Sequence, residues 1–251
     1  MARQKGIIKL QGRVGDLSFY KTKDGYLARE KSGIDGQRIA SDPAFQRTRE
    51  NGKEFGNAGS SGKLLRNALR VVAQKVKDSR MTSRLTREML KVVKSDSRSI
   101  RGERNILEGD LLLLKGFEFN EAGKLGTSLF IPFELKVDRA GGSMDILIPD
   151  FVPGDSIALP QGATHFRFIS AAAEIDFEKE SFNVDVNNSS EIVLGPQQEA
   201  ALVLSNSLPA ASTLPLFLVM GIEFLQEVNG LMYPLRNGAF NALQLVEVDM
   251  P

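Results

Sequence analysis

Leu216-Phe217-Leu218-Val219-Met220-Gly221-Ile222-Glu223-Phe224-Leu225-Gln226-Glu227-Val228 is followed by Asn229-Gly230 and then by Leu231-Met232-Tyr233-Pro234-Leu235. Two largely apolar runs joined by Asn-Gly predict an antiparallel hairpin, because a tight two-residue turn needs positive φ and these two residues tolerate it best. Pro215, Gly221 and Glu223 break the apolar run from Leu214 to Leu225, so no transmembrane helix is expected there. The same period-two logic extends upstream. Leu129–Asp138 alternates after Pro132, and Arg139-Ala140-Gly141-Gly142-Ser143 turns into Met144-Asp145-Ile146-Leu147-Ile148. Further strands are expected at 165–171, 174–177, 182–186, 191–194, 200–205 and 242–248. Roughly seven to nine short strands over about 120 residues predict an antiparallel β-sandwich of Ig-like type.

The N-terminal part reads differently. Gly6–Leu10, Leu17–Lys21 and Tyr26–Arg29 are expected as short strands, with Gly12–Asp16 and Asp24-Gly25 as turns. A loop or arm is expected over 32–41. Ser41-Asp42-Pro43 predicts a helix start, with the helix running to about Phe55 and broken by Gly56, Gly59 and Gly62. A second helix is expected over 63–78, from the spacing of Leu64, Leu65, Ala68, Leu69, Val72 and Val76. A third is expected over 82–94, on Leu85, Met89, Leu90 and Val93. Residues 95–104 are polar and read as a linker. The run Leu111–Asn120 fits a helix end and a connecting strand equally. The fold class expected is therefore α+β: basic N-terminal strands and helices over 1–105, then an acidic β-sandwich over 106–251.

Charge reinforces that division. Residues 1–105 carry 25 Lys and Arg against 11 Asp and Glu, a net of +14, and residues 106–251 carry 7 against 20, a net of −13. Such asymmetry points to a polyanion or to a partner of opposite sign. That partner is available in a second copy, and head-to-tail contacts of this kind build rings or filaments. The chain has no Cys, no Trp and 1 His, which excludes disulfides, Cys-based metal sites, thiol nucleophiles and multi-His centres. With no signal-peptide pattern, a cytoplasmic location is expected, and a particle released on lysis has the same composition.

Several segments carry a family resemblance. Gly15-Asp16-Leu17-Ser18-Phe19-Tyr20-Lys21, Tyr26-Leu27-Ala28-Arg29, Ser41–Asn51, Gly116–Asn120, Thr164–Arg167 and Gly221–Gly230 are similar to a set of uncharacterised Bacteroidota proteins. The resemblance spans nearly the whole chain. It implies a shared fold and nothing about catalytic residues, since that set has no assigned activity.

Candidate sites reduce to charged surfaces. Gly56–Lys63 lacks the Gly-Lys-Ser/Thr ending of a phosphate loop and follows a helix instead of a strand. His165 opens a strand and has no Gly-x-Ser-x-Gly elbow to serve, so it reads as structural. Glu174 and Asp176, at i and i+2, share one strand face, but no Asp-x-Asp-x-Asp-Gly calcium loop is present. No catalytic residue, metal, cofactor, small-molecule substrate or membrane contact is expected. The expected function is that of a non-enzymatic structural subunit. It assembles head to tail through Arg47, Arg49, Arg66, Arg70, Arg84 and Arg87 on the basic side, and Glu174, Asp176, Glu178 and Glu180 on the acidic side. The N-terminal strands either pack locally on the helices or add to the edge of a neighbour's sheet. The alternative is nucleic-acid binding by the basic helices, although only Phe45 and Phe55 are placed to stack on bases.

Overall fold

The computed structural model describes residues 2–22, 24–30 and 34–251, and the chain forms two compact units, 1–50 and 51–251. In the first unit, β1 (Ala2–Arg3), β2 (Gly12–Val14), β3 (Leu17–Thr22) and β4 (Gly25–Glu30) form an antiparallel sheet in the order β1-β4-β3-β2. The Asp24-Gly25 signal holds: Thr22 pairs with Gly25, whose φ is 111°. Gly12–Val14 pairs with β3, whereas the strand expected at 6–10 is a loop closed by the Gln4 side chain. Residues 32 and 33, part of the expected arm, lie outside the described residues. Gly36–Ser41 forms helix α1 because the Asp35 carboxylate accepts from the Gln37 N–H. Asp42 caps a 3-10 turn at Pro43–Phe45, as the Ser-Asp-Pro signal predicts.

Helix α2 (Gln46–Ala68) runs on from that turn, and the boundary between the units falls within it. The break expected at Gly56–Gly62 does not occur. Glu54, Ala58, Gly62 and Leu65 form a buried stripe at helical spacing, and packing on that stripe outweighs the low helix propensity of glycine. Gly62 is itself part of the packing: a Cβ there would lie 3.4 Å from Met89 Cγ. Helix α3 (Arg70–Ala73) follows a bend at Leu69, and α4 (Met81–Ser95) matches the third expected helix.

The remaining strands are β5 (Glu134–Asp138), β6 (Ser143–Ile148), β7 (His165–Asp176), β8 (Ser181–Asn188), β9 (Ile192–Val193), β10 (Leu202–Ser207), β11 (Leu216–Val228), β12 (Leu231–Pro234) and β13 (Ala242–Asp249). They form two antiparallel sheets. A three-stranded sheet has the order β10-β6-β5; a six-stranded one has β11 and β7 at its centre, β12 and β13 beside β11, and β8 and β9 beside β7. The β11–β12 turn has Asn229 at φ 52° and Gly230 at φ 78°, the positive pair that Asn-Gly predicts.

The six-stranded sheet is buried on both faces. Phe166, Phe168, Met220, Ile222 and Phe224 share a core with Met144, Ile146, Ile148 and Leu204 of the smaller sheet. Ile169, Ala171, Phe217, Val219, Leu243 and Leu245 share another with Leu65, Leu69, Val72, Leu85 and Met89 of the helices. Packing therefore divides the chain at 50/51 and not at 105/106, because the apolar stripes of α2–α4 are buried on the sheet of the acidic half. Residues 95–104 are not a free linker: buried Asp96 accepts from the N–H groups of Arg98, Ser99 and Asn105. Beyond a 3-10 turn at Leu111–Leu114, Gly116–Phe119 runs hydrogen-bonded along β13.

Candidate assembly surface

The six arginines expected to form a basic docking face divide into two groups. Arg47, Arg70 and Arg87 are exposed, the last with Nε 3.1 Å from its neighbour Glu88. The other three are engaged internally. Arg49 Nη1 donates to the carbonyls of Ile39 at 2.8 Å and Asp42 at 2.9 Å. Arg66 Nη1 donates to Thr82 Oγ1 at 2.8 Å. Arg84 donates to Asp78 Oδ2 from Nη2 at 2.6 Å and Nε at 3.2 Å, and its guanidinium lies 5.1 Å from the Phe117 ring centre. Burial acts to raise the Asp78 carboxyl, yet hydrogen bonds from the Arg80 N–H, Arg84 and the Glu121 N–H outweigh it and hold the group below its ordinary value.

The acidic row is corrected in the same way. Glu174 and Asp176 do share a strand face, but that face is covered, and their side chains serve the β7–β8 hairpin. Glu174 Oε2 accepts from Asn183 Nδ2 at 2.6 Å. Asp176 Oδ1 accepts from the N–H groups of Glu178 at 3.0 Å and Lys179 at 2.9 Å. The Lys179 N–H bond is the main cause of its lowered pKa. Glu178 and Glu180 are the exposed members of the set.

Sequence reasoning missed a charged cluster centred on a buried strand carboxylate. Glu223, 4% exposed, takes Arg167 Nη2 at 2.7 Å, Arg167 Nε at 2.8 Å and Lys75 Nζ at 3.2 Å. Arg167 and Glu223 sit directly opposite each other on β7 and β11. Lys75 comes from the segment after α3, so an ion pair joins the basic helical part to the acidic half within one chain. The signal was present: Glu223 is the sole charge in Leu216–Leu225, and a charge in a buried strand needs a partner.

Two further features bear on chemistry. A cavity of about 250 Å³ is lined by Arg84, Arg87, Glu88, Lys115, Glu118 and Lys124 among others. Burial raises the Glu118 carboxyl, which accepts from Leu125 N–H and Gln244 Nε2. His165 Nδ1 lies 2.9 Å from Thr164 Oγ1, and its Nε2 lies 4.0 Å from Glu227. Among the described residues, no group of three or more His, Cys, Asp or Glu could hold a metal ion, and no helix is long and apolar enough to cross a membrane.

Exposed apolar side chains occur along the whole chain, from Ile7 to Met250, and two places bear on docking. Among the described residues of 2–50 none is buried, and Ile7, Ile8, Leu10, Val14, Leu17 and Ile34 are all exposed. In the second unit, a groove of about 380 Å³ on the three-stranded sheet is lined by Pro132, Leu147, Pro149, Leu202, Val203 and Glu134, among others.

No protein-family model matches the chain, and none of the curated proteins does. Among solved structures, it is similar to the reeler domain of human F-spondin at 12% identity and a TM-score of 0.19, over 50% of this chain and 99% of that one. A likeness at that TM-score carries no argument about fold or function.

Proposed function

We propose that this chain is a non-enzymatic structural subunit that associates head to tail with copies of itself, its N-terminal unit docking on the second unit of the next copy. The observation that carries this reading is the four-stranded sheet within residues 2–30, among whose described residues none is buried. A small sheet without a covering layer is marginal in water, and a covering surface stabilises it. Charge supports a second copy as that surface. Residues 1–50 carry 11 Lys and Arg against 6 Asp and Glu, a net of +5, and residues 51–251 carry 21 against 25, a net of −4. Arg47 is the exposed arginine of the expected set on the first unit, and Glu178 and Glu180 are acidic counterparts on the second. A cytoplasmic location suits such a subunit.

We also read the two facing sheets as an Ig-like sandwich. Taking β5, β6, β7, β8, β10, β11 and β13 as the framework, the first, second and fifth strands lie in one sheet, and the others in the second. The constant-type arrangement places the fourth strand with the first, second and fifth. Here it pairs with the third.

The test is negative-stain microscopy and sedimentation of the full chain and of a variant lacking residues 1–50, at about 0.05 M and about 1 M NaCl, where screening shrinks to about 3 Å. Ordered assemblies from the full chain alone support the reading. Monomers from both chains at both salts refute it. A nucleic-acid complex that replaces the homopolymer selects the alternative partner.

A further inference from the structure

We propose that the Ile7-Ile8 turn of one copy seats in the apolar groove on the outer face of the three-stranded sheet of a second copy. This rests on the self-association proposed above and names its contact. The turn is held ready by one side chain. Gln4 Oε1 accepts from the Leu10 N–H at 2.8 Å, while Gln4 Nε2 donates to the carbonyls of Leu10 at 3.2 Å and Leu27 at 3.1 Å. The Gln4 N–H is itself tied to the Tyr26 carbonyl at 2.9 Å. Lys9 Nζ reaches back to the carbonyls of Gln4 and Gly6, both at 2.6 Å. These bonds close the loop at its base and leave Ile7 103% and Ile8 81% exposed at its tip. Two aliphatic side chains held in water on a pinned turn gain from burial and lose little freedom on binding.

The groove matches that tip in chemistry. Val203, Leu147 and Glu134 are neighbours across β10, β6 and β5, so one row of the sheet's outer face is two apolar residues and a carboxylate. Pro132 and Pro149 extend the apolar floor, and Val203 is 58% exposed. Arg3, Lys5 and Lys9 flank the two isoleucines, while Glu134 supplies the opposite sign at the groove. Complementary charge orients the approach, and the apolar tip supplies contact area. The donor turn and the acceptor groove are different surfaces of the chain, so the contact propagates from copy to copy when it is made head to tail.

The absence of cysteine makes the test clean, since Ile8→Cys and Val203→Cys each introduce a single thiol. Mixed under mild oxidation, the two variants are expected to give a disulfide-linked heterodimer. Ile8→Cys mixed with a Ser181→Cys control is expected to give none. Ile8→Asp and Val203→Asp, both at exposed positions, are expected to raise the concentration needed for assembly about tenfold or more with an unchanged circular dichroism spectrum. Assembly that persists with no Ile8–Val203 cross-link and no response to Val203→Asp overturns the groove and leaves self-association standing. So does a cross-link that forms only within one chain when Ile8→Cys and Val203→Cys are combined in the same molecule. A wild-type chain that stays monomeric at every concentration overturns both.

Discussion

Leu69→Ala tests whether the basic helices and the acidic sheet are one cooperative body. Leu69 is 1% exposed and lies in the core that joins α2–α4 to Ile169, Phe217, Val219 and Leu243 of the large sheet. Truncating a buried leucine removes transfer energy and leaves a cavity, together about 3 kcal/mol. For a body of 201 residues (51–251), each kcal/mol moves the midpoint about 2–4 °C, so the expected fall is about 6–12 °C. The assay is thermal and urea unfolding by far-ultraviolet circular dichroism, with amide exchange at Val219 and Leu243 as a second reporter. If the helices and sheet share a core, both probes move together in a single transition. Helical signal lost at lower urea while the Val219 and Leu243 amides keep their wild-type protection would refute the shared core and restore a boundary at 105/106.

Three other perturbations have defined outcomes. Asp96 is held at about 2 against an ordinary 3.8, chiefly by the Ser99 N–H, so its contribution is complete above 3.8 and is lost as pH falls through about 2. Asp96→Asn should lower the urea midpoint at neutral pH and make the acid-side loss of stability shallower. Gly56 lies mid-helix in α2 with nothing within 4 Å of an added Cβ, so Gly56→Ala should stabilise the chain by about 0.5–1 kcal/mol in monomer melts. A destabilised monomer would show that the backbone there needs its glycine. Gly221→Ala should do the reverse, costing about 1–3 kcal/mol, because its Cβ would clash with the Ala242 carbonyl oxygen. An unchanged melting temperature would mean that β11 and β13 can separate without cost.

The sheet residues were the most legible part of the chain, because alternation and the Asn229-Gly230 turn are local signals that tertiary contacts then reinforce. The errors share a physical origin. Gly56–Gly62 reads as a helix break because propensity is a per-residue quantity, whereas the buried stripe that holds α2 together is formed by α4 and residues 102–104, distant in sequence. The boundary at 105/106 was drawn from charge sign, which marks the solvent side of an element, while Leu65, Leu69 and Leu85 on the opposite side decided what packs with what. Gly6–Leu10 has strand composition but forms a loop, since Gln4 satisfies the Leu10 backbone groups that a neighbouring strand would otherwise take. Glu174 and Asp176 were correctly placed on one face. Whether a face is open to solvent depends on the strand beside it, which no residue spacing states.

The new boundary changes the weight of electrostatics in the proposed assembly. Counted by sequence halves, the chain opposes +14 to −13; counted by packed units, the opposition is +5 to −4. Much of the basic surplus in 51–105 is carried on the same body as the acidic sheet, and Lys75–Glu223 shows one such charge already compensated at 3.2 Å. Exposed pairs contribute about 0–1 kcal/mol each, so charges of this size can set direction but not hold subunits together. The affinity has to come from surface removed from water. The Ile7-Ile8 tip and the Leu147–Val203 groove are surfaces of the two different units, and the proposed contact would remove both from water.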